Sequence, residues 1–176
     1  MLTGELMTSA TITDRLVALS RALIGRIRGG LAQVNVLVSM FFAGMNGSVV
    51  ADTATVGALV LPAMKKAGYP AAFSAAVTGV SSTIGGIIPP SIMMIVLANS
   101  TEISIAALFA AGIVPGVMIG AVIMIINHYF AIKYNFERSD EPFSIRRAGK
   151  ELYRSSFALL IPVVLVGSVM GGVASV

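Results

Sequence analysis

Cysteine and tryptophan are absent from the 176 residues, histidine occurs once, and only 11% of positions are charged. Without cysteine there is no disulfide, no thiolate metal site and no thiol nucleophile, and one histidine cannot build a transition-metal cluster. Redox and zinc chemistry are excluded, and no cofactor is expected. The scarcity of charge accompanies 56% hydrophobic residues and a mean hydropathy of +0.91, outside the range of a soluble domain. The chain reads as an all-α, polytopic membrane protein.

Four runs lack Asp, Glu, Lys and Arg: 29–51, 67–101, 103–132 and 155–176. Each exceeds the roughly 18 residues that mark a spanning candidate. A cleaved signal peptide does not fit, because the basic residues begin at Arg15 and follow a short apolar start. The net charge of +4 falls between the apolar runs, as in loops that obey the positive-inside rule. Membrane lipid is the expected neighbour, and nucleic acid is not.

Residues 1–31 make an N-terminal segment with an amphipathic helix over 11–31. Ile12, Leu16, Leu19, Leu23, Ile27 and Leu31 share one face, while Arg15, Arg21, Arg26 and Arg28 flank the opposite one. Thr11 and Asp14 have the spacing of a capping box. Such a helix lies in the membrane interface as an arm, or packs on the bundle as an ordinary loop helix.

Residues 32–66 have a different character. Positions 31–45 rise only about 22 Å as a helix, and 53–64 less, so neither crosses a core of roughly 30 Å. Between them lies "GMNGSVVAD", a polar turn with two glycines. Both outer ends are basic, Arg26 and Arg28 before and Lys65 and Lys66 after, which puts both on the cytoplasmic side. The pattern predicts a re-entrant helical hairpin whose tip stops near mid-membrane.

Residues 67–102 pose the opposite problem, since a straight helix over 67–101 would be about 52 Å long. "SSTIGGIIPPS" interrupts it. Pro89 and Pro90 lack an N–H and clash with the preceding turn, and Gly85 and Gly86 remove side-chain restraint. Half-helices over 71–80 and 90–99, joined by unwound backbone, are expected, with an exit near Glu102. Residues 103–132 return as a transmembrane helix. The loop at 133–154, with Lys133, Arg138, Arg146, Arg147, Lys150 and Arg154, is cytoplasmic, and 155–176 crosses outward. Gly112, Gly116 and Gly120 form a small-xxx-small stripe, repeated by Gly167 and Gly171.

Freed carbonyls and N–H groups at membrane depth cost several kcal/mol each and persist only where protein, water or a ligand satisfies them. The hairpin tip offers Asn46, Gly47 and Ser48, and the unwound stretch offers Ser81, Ser82, Thr83 and the backbone around Gly85, Pro89 and Pro90. These are hard oxygen donors suited to an alkali cation. Helix N-termini facing the same cavity favour an anionic substrate. Asp52, the one carboxylate in the apolar part of the hairpin, acts in ion coupling or caps a helix beginning near Thr53. His128 sits near the basic end of its span, an interfacial position. An intramembrane hydrolase would need a base beside Ser48, and His128 lies on a different span near the surface, so no enzyme is expected.

"FAGMNGSVVADTATVGALVLPAMKKAGY", "SSTIGGIIPPSIMMIV" and "ISIAALFAAGIVPG" together resemble the large membrane (M) subunit of tripartite ATP-independent periplasmic (TRAP) transporters. The resemblance implies a bacterial inner-membrane permease subunit that takes up small organic acids, usually carboxylates, by sodium-driven, elevator-type movement. It implies two partners, a small membrane (Q) subunit and an extracytoplasmic solute-binding (P) protein. By the same resemblance, the hairpin tip maps onto Asn46, Gly47, Ser48 and Asp52, and the unwound helix onto Ser81, Ser82, Thr83, Gly85, Pro89 and Pro90. A sodium site is implied between them, with Asn46, Ser48, Ser81, Thr83 and Gly85 as its candidate ligands.

Two positions depart from the family pattern, which usually has Ser at Asn46 and often Pro at Gly86. The first keeps an oxygen and the second loosens the backbone, so sodium binding stays the expectation. The family contains two inverted repeats, and the likeness covers about the first, from what looks like an internal Met to "GGVASV", where the pattern is lost. The chain is therefore expected to be half of an inverted-repeat elevator transporter, a fragment or truncated product. The rival reading is a transport-incompetent membrane scaffold.

Overall fold

The computed structural model describes residues 12–24, 27–136 and 145–171. Among these the chain forms α1 (Ile12–Ile24), α2 (Gly30–Asn46), α3 (Val49–Lys66), α4 (Ala71–Ser82), α5 (Ile92–Thr101), α6 (Ile105–Lys133), α7 (Ile145–Arg154) and α8 (Ser156–Met170). A 3-10 turn at Thr83–Gly86 continues α4 toward α5.

The centre of the fold is a helical hairpin. Gly47, at φ 58°, ends α2 in the left-handed conformation that glycine adopts without strain, and its N–H donates to the Ala43 carbonyl at 3.1 Å. Ser48 is extended and caps α3, its Oγ accepting from the Ala51 N–H at 3.4 Å. A two-residue link therefore reverses the chain. Helix α3 starts at Val49, four residues before the predicted Thr53. Asp52 is accordingly not its N-cap: the carboxylate sits one turn inside and is fully buried. The 17 residues of α2 and 18 of α3 span about 25 and 27 Å, each short of a full crossing.

Helix α4 packs across both arms of the hairpin. Phe42 from α2, Val56, Val60 and Met64 from α3, Val77 from α4 and Ile84 beyond it are buried together as the apolar core. The predicted break is present. Helix α4 runs to Ser82 and not only to 80, the 3-10 turn follows, and α5 begins at Ile92, beyond Pro90.

Helix α6, with 29 residues, is the described helix long and apolar enough to cross a membrane. Val114, Met118, Val122 and Ile125 are exposed along it, so it is not the buried core helix of a soluble domain. The other expected crossings are represented by shorter helices, α4, α5 and α8. The glycine stripe on α6 is packed within the chain: Gly112 lies against Met94 and the Ile87 carbonyl, Gly116 against Ile88 and Gly120 against Met40. Among the described residues no atom lies within 4 Å of a Cβ added at Gly167.

At the hairpin's open end the basic segments converge. Gly29 abuts Ala131, and Arg28 Nη1 donates to Asn135 Oδ1 at 3.2 Å. Tyr69, Phe73, Phe130 and Phe136 form a ring cluster there, with Tyr69 and Phe136 centroids 4.5 Å apart. Helix α1 ends at Ile24, well before Leu31, and its Leu16 and Leu19 are buried. It packs on α2 and α7, which is the loop-helix alternative, with Ser155 Oγ donating to the Arg15 carbonyl at 3.3 Å. Thr11, and with it the expected capping box to Asp14, and the flanking Arg26 lie outside the described residues. The predicted loop at 133–154 contains α7.

Candidate ion-binding site at the hairpin tip and helix break

Two irregular backbones meet at the hairpin tip. The Ile92 N–H donates to the Gly47 carbonyl at 3.4 Å, so the start of α5 is tied to the turn between α2 and α3. Gly47 lies so close to Pro90 that a side chain there would overlap the Pro90 carbonyl. A Cβ at Gly85 would stand 3.7 Å from the Ser48 carbonyl carbon and the Val49 nitrogen. Gly44, one turn back on α2, approaches Pro89 on one side and Pro162 of α8 on the other. The break thus faces the tip, as the separate sequence signals require.

Local chemistry shapes this junction. Asn46 Oδ1 accepts from the Ser48 N–H at 3.0 Å, which tightens the turn and aims the amide oxygen inward along it. The helical donor for the Gly85 carbonyl would be the nitrogen of Pro89, which carries no hydrogen. Gly86 is in the same position relative to Pro90, but its carbonyl accepts from Ser91 Oγ at 2.8 Å. Ser91 also caps α5 through the Met94 N–H at 3.4 Å. Ser91 was not among the predicted site residues.

A second polar cluster lies deeper, between α2, α3 and α4. Asn35 Nδ2 donates to Thr78 Oγ1 at 2.7 Å, and the Ser39 and Ser81 hydroxyl oxygens are 3.2 Å apart. Ser81 Oγ also donates to the Thr78 carbonyl at 3.1 Å, as does Ser82 Oγ at 2.8 Å. Asp52 projects into this cluster beside the hydroxyls of Ser82 and Ser39. Neither of its buried carboxylate oxygens has a hydrogen-bond partner of good geometry. Buried polar groups are almost always satisfied, and an uncompensated carboxylate is among the costliest exceptions. Both oxygens of a buried carboxyl group thus lie beside hydroxyls without a well-formed hydrogen bond.

The predicted residues therefore divide. Asn46, Gly47, Ser48, Gly85, Pro89 and Pro90 meet at the tip, and Asp52, Ser81 and Ser82 meet in the deeper cluster. Thr83 joins neither through its side chain, which is exposed and donates to the Val80 carbonyl at 2.7 Å. Asn35, Ser39 and Thr78 were missed. The signal for them was present as polar residues one helical turn apart in otherwise apolar helices, Asn35 with Ser39 and Ser74 with Thr78. Among the described residues no three carboxylate, thiol or imidazole side chains cluster, so this donor set of hydroxyls, amides and one carboxylate does not resemble a transition-metal centre.

The sequence matches, over residues 1–176, the family model described as tripartite ATP-independent periplasmic transporter, DctM component. It is 36% identical over 172 residues to a C4-dicarboxylate TRAP transporter large permease protein of Pseudomonas aeruginosa, covering 98% of this chain and 40% of that protein. It is 37% identical over 176 residues to a sialic acid TRAP transporter permease protein of Haemophilus influenzae, covering 99% of this chain and 28% of that protein. A 2,3-diketo-L-gulonate TRAP transporter large permease protein of Escherichia coli is 37% identical over 172 residues, with 98% and 40% covered. The chain spans less than half the length of these relatives. With hairpin, break and full-length match in agreement, the chain belongs to the DctM family of TRAP transporter large permease components.

Proposed function

We propose that the chain forms the first half of a sodium-coupled uptake system for small organic acids in the bacterial inner membrane. In this reading it works with a small membrane subunit and an extracytoplasmic solute-binding protein. The hairpin of α2 and α3 is re-entrant, and the break between α4 and α5 supplies main-chain oxygens where the tip meets it. Sodium is cargo that couples the gradient to uptake, and Asp52 with Ser39, Ser81 and Ser82 holds the charge-compensating part of its path. The observation that carries this reading is the buried Asp52 carboxylate with two unsatisfied oxygens. The printed names of the relatives, which include a C4-dicarboxylate, a sialic acid and a diketogulonate permease, support an organic-acid substrate without selecting one.

The test has two parts. Purified protein is melted in detergent with sodium, potassium or choline chloride at equal ionic strength. A saturating specific ion is expected to raise the melting temperature by roughly 5–10 °C. Equal melting in all three salts would reject the sodium assignment. Uptake of a labelled dicarboxylate into proteoliposomes is then compared for the chain alone and for the chain joined to the remaining sequence of a full-length relative. Sodium-dependent uptake in the joined form supports the transport reading. Absence of uptake in both leaves the rival scaffold reading as the better account.

A further inference from the structure

Helices α2 and α6 run antiparallel against each other, and three contacts set their register. Gly29 abuts Ala131, Gln33 Nε2 donates to the Met124 carbonyl at 2.8 Å, and Gly120 lies against Met40. Asn127 stands between Ala131 and Met124 on the buried stripe of α6, so it faces α2 over the turn from Gly29 to Gln33. Its own carbonyl lies 3.9 Å from a Cβ placed at Gly29. Both amide residues are buried, Gln33 3% exposed and Asn127 4%. Each is left with one unpartnered atom, the Gln33 oxygen Oε1 and the Asn127 nitrogen Nδ2. Asn127 precedes the end of α6 at Lys133 by about 9 Å of helix, within a segment where lipid supplies no hydrogen-bond partner.

The two unpartnered atoms are opposite in kind. The bond to Met124 fixes which end of the Gln33 amide is oxygen, so Oε1 calls for a donor while Nδ2 calls for an acceptor. A metal ion would satisfy the oxygen and repel the N–H group, and an anion would do the reverse. A water molecule answers both. We infer that Gln33 Oε1 and Asn127 Nδ2 share one buried water, which accepts from Asn127 and donates to Gln33, joining the hairpin to α6 near its base. Main-chain carbonyls of the same turns, each with a second lone pair, are the acceptors for its remaining hydrogen. Buried water of this kind makes about three hydrogen bonds and is costly to remove. Apolar contact alone would leave α2 free to turn against α6, whereas a shared water fixes the two amides opposite each other. The inference does not rest on the transport reading, since it concerns the hairpin's base and not the tip or the break.

A crystal structure of the full chain in a lipid mesophase, at a resolution that shows ordered water, tests this directly. One peak within roughly 2.7–3.2 Å of both Gln33 Oε1 and Asn127 Nδ2 is expected. A direct bond between the two amides would overturn the proposal, and so would a dry gap between them. Melting temperatures of variants give an independent reading. Asn127→Leu and Gln33→Met each strand one member of the bridge, and each is expected to lower the melting temperature by roughly 3 °C or more. The double variant removes both polar ends, so its loss is expected to fall short of the summed single losses by roughly 2 °C or more. Additive losses would show that the two amides share no partner and would also overturn the proposal. A variant that fails to fold does not blunt the test, because the crystallographic reading uses the unaltered protein.

Discussion

Asp52 is the residue on which the chemistry turns, because its carboxyl group is buried and without a well-formed hydrogen bond at once. Asp52→Asn keeps the shape and removes the charge, so it is expected to stabilise the sodium-free protein by about 1–3 kcal/mol. It is also expected to abolish any sodium-induced rise in melting temperature. Melts of the variant with and without sodium check both, and a persisting sodium response would remove Asp52 from the ion path. Asn35 has a purely architectural part. Its amide joins α2 to Thr78 on α4, and Asn35→Ala leaves a buried hydroxyl cluster short of a partner, a loss of about 1–3 kcal/mol read by denaturation. The importance of Asn46, Ser48 and Gly85 was legible because they flank visible backbone breaks. Asn35, Ser39 and Thr78 were harder to see, since a single hydroxyl or amide in an apolar helix gains its meaning from the helix it faces, and that pairing of α2 with α4 is a tertiary fact.

Each helix boundary reflects a balance between backbone chemistry and packing. Pro62, Pro115 and Pro162 all lie inside continuous helices, so proline alone does not explain the break at Pro89 and Pro90. The difference is the company it keeps: two successive prolines remove two consecutive donors just after two glycines that leave the backbone unrestrained. That much could be read from sequence. The start of α3 could not, because the cap is Ser48, and the turn geometry at Gly47 decides it. The extension of α4 by a 3-10 turn likewise follows from contact with the tip, where Gly85 approaches Ser48. At this scale the critical contact is Gly116 of α6 on Ile88 within the break. Gly116→Val would push the two apart, at a cost of about 1–3 kcal/mol, and loosen the break without touching a polar group. Faster hydrogen exchange of the α5 amides than in the unaltered protein would report it; unchanged exchange would show that α6 does not hold the break in place.

The whole molecule has a strong polarity. Lys65, Lys66 and Lys133 collect at the end where Arg28 meets Asn135, and the convergence of these ends was inferred from charge alone before the fold was described. The interior of the loop at 133–154 was less legible, because α7 packs on α1, a helix more than a hundred residues earlier in the chain. Since the chain has no cysteine, topology can be tested with single introduced thiols. Lys66→Cys and Lys133→Cys are expected to react with an impermeant reagent from the cytoplasmic side, and Glu102→Cys from the other. Labelling of all three from one side would rule out a crossing through the break. The ring cluster of Tyr69, Phe73, Phe130 and Phe136 fastens the α3–α4 link and the start of α4 to the end of α6, while at the far end the main-chain bond between tip and α5 among the described residues is the long one from Ile92 to Gly47. One end of this assembly is thus riveted by packed rings and the other tied by a lone main-chain bond, so the break can part from the tip at the loss of that bond.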